Sequence, residues 1–398
     1  MTTTAAPVKH TETSRYPTHA PIQVSIIEDL KTLAELESEW NGLVERTTNQ
    51  PFYRHEYIRS WIENFTPDAP LKLLIGREPG GRLVALLPLV EERVSLCGIP
   101  VRQWTSPTNV HSYRFDVLAE DAGEASRAFF ERLRREKGWD LIKLTDIPPA
   151  AKAWQLYERA QSARLPVGVY EAQRSTYITL AESFELLQTG LAGKFRGNLR
   201  RRRKTLESKG QVSVERITGG PSLQARLEEC FVIEQSGWKG KRGEPANLDP
   251  RIHGFYSALA GRASEQGSFS LFQLKLDGRP IAFHYGLTQD GIYSLVMTSY
   301  DESLRDCGPG HLLVEEVLKV CVDEGLREFD FLGCDLEWKR AWSRTSRQHS
   351  WLYIFRDSVR GLLLQRVKFQ WVPAARNLLG HLRKAEPKSI QSDSLNEG

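Results

Sequence analysis

The chain of 398 residues has no apolar run approaching the roughly 20 residues that span a bilayer, which sets aside an integral helical membrane protein. Its start, residues 1–20, is polar and lacks the apolar core of a signal peptide, so it reads as a disordered leader. Cysteine is scarce. Cys97, Cys230, Cys307, Cys321 and Cys334 are odd in number and show no metal-ligand spacing. No histidine pair shows such spacing either, so no metal is expected. A reduced, cytoplasmic setting is expected. Excess charge is also missing: a net charge of +4 is compatible with anionic partners and requires none.

What is present suffices for a packed core, with 40% hydrophobic and 26% charged residues. The length suggests two domains, and the chain states one grammar twice. In the first half, residues 71–77 and 83–90 flank Pro79-Gly80-Gly81, the pattern of a hairpin. In the second half, residues 269–276 and 280–287 flank Asp277-Gly278, a strong hairpin signal. A helix over 125–137, Gly138 and a strand over 140–145 follow in the first half. A helix over 312–324, Gly325 and a strand over 328–332 follow in the second. Helices precede both hairpins, at 33–45 and 56–65, then at 223–235 and 254–265. This order predicts an α/β (α+β) fold, a duplicated sheet covered by helices, with the seam near residues 166–175. Coincidental α/β grammar is the alternative.

The halves differ at one junction. Between a strand over 292–299 and the helix that follows, the second half reads Arg305-Asp-Cys-Gly308-Pro-Gly310. Glycines let backbone approach a ligand, and a helix start offers free N–H groups and a positive dipole end, a combination suited to a pyrophosphate. Gly308, Gly310 and the N–H groups of His311 and Leu312 are the binding candidates, with Arg305 for a charge-assisted contact. An ordinary glycine turn before a helix is the bland reading. The first half's junction, residues 119–125, is acidic with one glycine and would repel a pyrophosphate.

Acid and base candidates are Asp335, Glu337 and Tyr300. The two carboxylates follow the 328–332 strand, where open α/β sheets place their sites. Either could instead cap the helix running to Ser343. The run Lys194–Lys204 carries seven cations, with Phe195, Leu199 and Leu206 at helical spacing and Arg196, Arg200 and Arg203 on a neighbouring face. It reads as a solvated helix, as a site for an anionic acceptor or donor phosphates (Arg196, Arg200), or as a nucleic-acid surface. The basic loop holding Trp238 and Lys239 could line an acceptor cleft, and Lys339 could meet phosphate or a carboxylate. The stretch 359–371 could pack on the domain or touch an anionic membrane. The end, from Lys384, reads as disordered.

Trp40-Asn-Gly-Leu43, Pro51–Trp61, Ala85-Leu-Leu-Pro-Leu89, Lys194–Lys204, Cys307–Leu313, Phe329–Gly333 and Asp335–Lys339 stand in an order that resembles the CelD-like (cellulose-biosynthesis acetyltransferase) family of the GNAT superfamily, distantly related to the Fem transferases. One departure stands out: Trp338-Lys339 replaces the Tyr-Lys of relatives, so no phenolic proton donor sits at 338. The resemblance implies tandem GNAT-like domains, each a mixed, mostly antiparallel twisted sheet flanked by helices. The divisions are residues 21–170 (a degenerate domain), 171–356 (the acyltransferase domain) and 357–398 (a helix and tail). It implies an acetyl-CoA or other acyl-CoA donor, with Val296, Met297 and Thr298 along the pantetheine arm and their N–H groups polarising the thioester. The acceptor it implies is an amine or hydroxyl of a sugar or cell-envelope precursor. Alternatives are a Fem-like transferase using aminoacyl-tRNA and a non-catalytic partner protein of polysaccharide synthesis. Nucleic acid is not expected under the first reading, and membrane contact is peripheral at most.

Overall fold

The computed structural model describes residues 21–236 and 249–374. The expected leader (1–20), the polar end from Lys384, and Trp238 with Lys239 lie outside the described residues. The first half runs β1 (Gln23–Ile27), α1 (Leu30–Glu35), α2 (Glu37–Thr47), α3 (His55–Phe65), β2 (Leu71–Arg77) and β3 (Leu83–Leu96). It continues with β4 (Ile99–Thr105), β5 (Leu118–Ala119), α4 (Ala122–Arg135), β6 (Leu141–Ile147), α5 (Ala153–Ser162) and β7 (Val167–Thr179). The second half runs α6 (Phe184–Thr189), α7 (Gly193–Glu207), β8 (Val212–Ile217), α8 (Leu223–Ser236), α9 (Pro250–Glu265), β9 (Phe269–Leu276) and β10 (Arg279–Gln289). Then come β11 (Ile292–Tyr300), a 3-10 turn (Glu302–Cys307), α10 (Pro309–Asp323), β12 (Glu328–Asp330), α11 (Glu337–Arg340), β13 (Ser346–Phe355) and α12 (Val359–Arg366).

The strands form one sheet in the order β1-β2-β3-β4-β6-β13-β7-β12-β11-β10-β9-β8, with β5 beside β3. Exchanging each first-half strand for its second-half counterpart (β1 with β8, β2 with β9, β3 with β10, β4 with β11, β6 with β12, β7 with β13) returns the same order. The duplication is therefore written into the strand pairing. Pairing is antiparallel except between β4 and β6 and between β11 and β12. The closing strands cross over: β13 pairs with β6 of the first half, and the end of β7 pairs with β12 of the second. The expected division at 170/171 falls inside β7, and β7 and β13 pair along most of their length.

Burial follows the amphipathic patterns. One core joins the halves, with Trp40, Tyr57 and Trp61 of α2 and α3 packed with Phe231, Phe255 and Tyr256 of α8 and α9. A second core lies under α4 and α5. A third lies where α7 and α10 cover β9–β12, with Leu199 and Leu206 of α7 buried. The 359–371 stretch packs on the sheet through Leu364 and Phe369, the latter 5.3 Å from the Tyr353 ring. Among the described residues no helix is long and apolar enough to cross a membrane.

Candidate functional site

The site is built on a fault in the sheet. β11 pairs with β12 only from Ile292 to Ser294, opposite Glu328 to Asp330. β11 then continues to Tyr300, while the other chain turns away at Leu332 and Gly333, both left-handed (φ 52° and 55°). Phe331 has already given its N–H to Thr176 of β7. The two strands thus diverge into a groove. On its other edge β11 steps out of register with β10: Tyr285 faces Met297 and Gly286 faces Leu295, which leaves Val296 as a bulge. A bulge disrupts the ladder and re-aims the backbone, as strands do beside functional sites.

At the open end of the groove α10 begins. Gly308 is its N-cap, in the left-handed conformation (φ 58°), and no side chain caps the helix. That conformation favours glycine. Gly308 N–H is bound to the Arg305 carbonyl, and Leu312 N–H to the Gly308 carbonyl. These two donors, expected to be available, are therefore occupied. Gly310 and His311 are left to present first-turn N–H groups, since Pro309 has none. The Tyr300 ring lies 3.3 Å from the place a Cβ on Gly310 would take, so Tyr300 is a wall of this turn. Arg305 is exposed beside it.

The cation at the loop lies off the face that carries Arg196, Arg200 and Arg203. Arg202 of α7 crosses Gly308, its Nη1 3.0 Å from the position of a Cβ there. Arg203 is tied to Glu315 and Glu316 of α10. Arg200 is exposed and lines an open depression with Arg201 and Lys204, and Arg196 is half-buried. The signal was readable: residues 195, 199, 202 and 206 form one i, i+4, i+7, i+11 stripe, and Arg202 interrupts its apolar members. His311 packs among Phe195 and Trp338, both edge-on, and the tilted ring of Trp342, and Trp342 Nε1 donates to its Nδ1 at 3.0 Å. Burial, then the Arg202 charge, pushes its imidazole down to about 4, so it is neutral at pH 7 and carries its proton on Nε2.

The expected acid–base residues are placed less favourably. Asp335 accepts from Thr176 Oγ1 at 2.8 Å and from Arg340 Nε at 2.9 Å. Desolvation acts to raise its carboxyl, but these bonds outweigh it and hold the group below the usual value. Both oxygens are engaged, which suits a structural carboxylate more than a base. Glu337 is exposed at the first turn of α11. Lys339 is buried, and its ammonium donates to the carbonyls of Leu332 and Cys334. It pins the left-handed turn rather than facing an acceptor.

Tyr113 closes the groove's inner end, and around it stand residues that no motif announced. Tyr113 Oη donates to the Val296 carbonyl at 2.9 Å. His111 Nδ1 meets Tyr256 Oη at 3.1 Å. Glu234, at the end of α8, is buried (3% exposed). Burial chiefly raises the pKa values of Tyr113 and Tyr256, and the Glu234 charge adds to this in both. Arg114 is sealed in an ion pair with Asp330, which also accepts from Ser175 Oγ and Leu332 N–H. His111, Tyr113 and Arg114 sit in the loop between β4 and β5 of the first half, and only the folded arrangement brings them to the second. Among the described residues no cluster of His, Cys, Asp or Glu is placed to hold a metal.

The family described as acetyltransferase (GNAT) domain matches residues 193–340. No curated protein sequence matches the chain. Among solved structures the chain is similar to FemX, with a TM-score of 0.56 at 12% identity over 86% of this chain and 100% of that one. It is also similar to the C-terminal domain assigned to a lysylphosphatidylglycerol synthetase of Agrobacterium fabrum, with a TM-score of 0.51 at 12% identity over 83% and 95%. A third is L-PGS from Bacillus licheniformis, with a TM-score of 0.50 at 13% identity over 89% and 97%. At such identities the likeness is one of fold. Residues 193–340 thus match a GNAT-type acetyltransferase domain, set within a duplicated fold that resembles those of FemX and the synthetase domains.

Proposed function

We propose that the protein is an acyl-CoA-dependent acyltransferase whose second half binds the donor. The observation that carries this reading is the groove between β11 and β12, with a bulge at Val296 and an uncapped helix start at its mouth. The N–H groups of Gly310 and His311, with Arg202 and Arg305, hold the pyrophosphate. The pantetheine lies along Thr298, Met297 and Val296, whose backbone polarises the thioester carbonyl. The acceptor's nitrogen or oxygen attacks that carbon, the C–S bond breaks, and the acceptor's proton ends on the departing thiol. The base role passes from Asp335 and Glu337 to Glu234, and Glu234→Gln should abolish turnover while leaving acetyl-CoA affinity intact. An amine or hydroxyl of a sugar or envelope precursor remains the acceptor class, by the CelD-like resemblance.

The donor reading is tested by melting. Acetyl-CoA at about a hundred times its Kd should stabilise the fold by about 2.7 kcal/mol. No rise in Tm with acetyl-CoA or CoA would end this reading. The exposed cations Arg200, Arg201 and Lys204 favour a second one, a Fem-like transferase that takes its acyl group from aminoacyl-tRNA. It requires tRNA binding that weakens steeply with salt and is lost on replacing Arg200 and Arg201 by Glu.

A further inference from the structure

The groove has a closed end, and the residue that closes it belongs to the other half. The last β11–β12 pair is Ser294 with Asp330. In the angle beyond it stands Tyr113. Its hydroxyl is bonded to Val296 on one diverging strand, and its ring edge lies 3.4 Å from where a Cβ on Gly333 would sit on the other. The ring therefore bridges the apex. Gly333 is left-handed and bare, and a side chain there would meet this ring.

The loop that carries Tyr113 is fixed on both sides. Tyr57 Oη donates to the His111 carbonyl at 2.9 Å. Arg114 is buried, bonded to Gln50 Oε1 at 2.9 Å and paired with Asp330. A ring so held is a wall rather than a lid.

We infer that Tyr113 sets the length of the acyl group the protein accepts, restricting it to short chains. The inference rests on the donor reading above. With the pyrophosphate at the start of α10, the pantetheine runs back along β11 from Tyr300 to Val296. That is four residues, or about 13 Å at ~3.3 Å each. The thioester then arrives at the bulge, and the carbons beyond its carbonyl point into the apex. An acetyl methyl fits short of the ring, whereas each further methylene runs into it. A rigid wall discriminates roughly tenfold or more per methylene.

The test is a binding panel by calorimetry, using CoA, acetyl-, butyryl-, hexanoyl- and octanoyl-CoA. It needs no acceptor. The unaltered protein should bind acetyl-CoA at least tenfold more tightly than octanoyl-CoA. Tyr113→Ala should remove that preference by gaining affinity for the long chains, while Tyr113→Phe, which keeps the ring, should retain it. If Tyr113→Ala does not fold, Tyr113→Leu should move the cut-off by one or two carbons. Equal affinity of the unaltered protein for acetyl- and octanoyl-CoA overturns the inference. So does an unchanged ranking in a folded Ala or Leu variant. Failure to bind any member of the panel, CoA included, removes the donor reading itself and this inference with it.

Discussion

α4 and α10 occupy corresponding places in the two halves, and their first turns are finished in opposite ways. α4 starts at Asp121, whose carboxylate accepts the Glu124 N–H at 2.9 Å, with Glu124 adding negative charge in the first turn. α10 starts at left-handed Gly308, has no side-chain cap and faces Arg202. The first end satisfies itself, and the second keeps donors and positive charge for something else. The end of β6 and the turn after β12 differ likewise. Counting from the first paired residues, Leu141 and Glu328, the fifth position on is Asp146 in one half and Gly333 in the other. Both are left-handed, at 57° and 55°. Asp146 is buried with Trp351 as its donor, whereas Gly333 makes room for Tyr113. One frame thus holds a closed copy and an open one, and the closed copy sends Tyr113 and Arg114 into the open one.

That dependence is the place to strike hardest. Arg114 pairs with Asp330 in full burial. Arg114→Met leaves the buried carboxylate with Arg347, at 3.5 Å, as its remaining cation and should cost about 3 kcal/mol in denaturant unfolding, the low end for a broken buried pair. A loss under about 1 kcal/mol would mean that the second half stands without the first. The next largest effect is at Asp146. Burial raises its pKa to about 6, while the unfolded value is about 3.9. Between these values the folded chain holds the extra proton, so this group's contribution to stability is present at pH 4 and is lost as pH rises to 6. Two units at about 1.4 kcal/mol each bound the loss near 3 kcal/mol. Asp146→Asn, which tolerates the left-handed backbone, should therefore be more stable than the parent at pH 7.5 and equal to it near pH 4. Parallel melts at the two pH values decide this.

Much of the frame was legible because its signals are local. Asp277-Gly278 marks the β9–β10 turn, and the helices over α3, α9 and α10 follow their apolar spacing. The bulge is a matter of register between β10 and β11, which no single strand encodes. The exchange of β7 and β13 was equally hidden, because each strand finds its partners more than a hundred residues away. The site divided the same way. The glycines of the α10 start stood out as a motif, and Arg202 was concealed among seven cations, although its place on the buried stripe marked it. Tyr113 and Glu234 carry no pattern at all, since Tyr113 takes its meaning from its bond to the Val296 carbonyl and Glu234 from its burial near Tyr113 and Tyr256. Lys339 reads in the sequence as a cation that could meet phosphate or a carboxylate, and no pattern announces that the carbonyls of Leu332 and Cys334 draw it inward.

The two helix starts can be exchanged. Gly308→Asp gives α10 the cap that α4 has, against a Cβ clash 2.7 Å from Arg202 Cδ. A carboxylate there occupies the first-turn donors and repels phosphate, so acetyl-CoA affinity should fall at least tenfold, about 1.4 kcal/mol. Arg200→Gln, on the exposed face of the same α7, should leave it unchanged. The reverse change is the smallest and the most discriminating. Asp121→Ala uncaps α4 and should cost about 1 kcal/mol of stability, seen as a lower Tm without ligand. The Tm increment caused by acetyl-CoA should be the same as in the parent, because that increment depends only on ligand concentration over Kd at a site in the other half. If Asp121→Ala weakened the increment instead, the first half's helix start would be contributing to the donor site, and the division into a closed copy and an open copy would have to be abandoned.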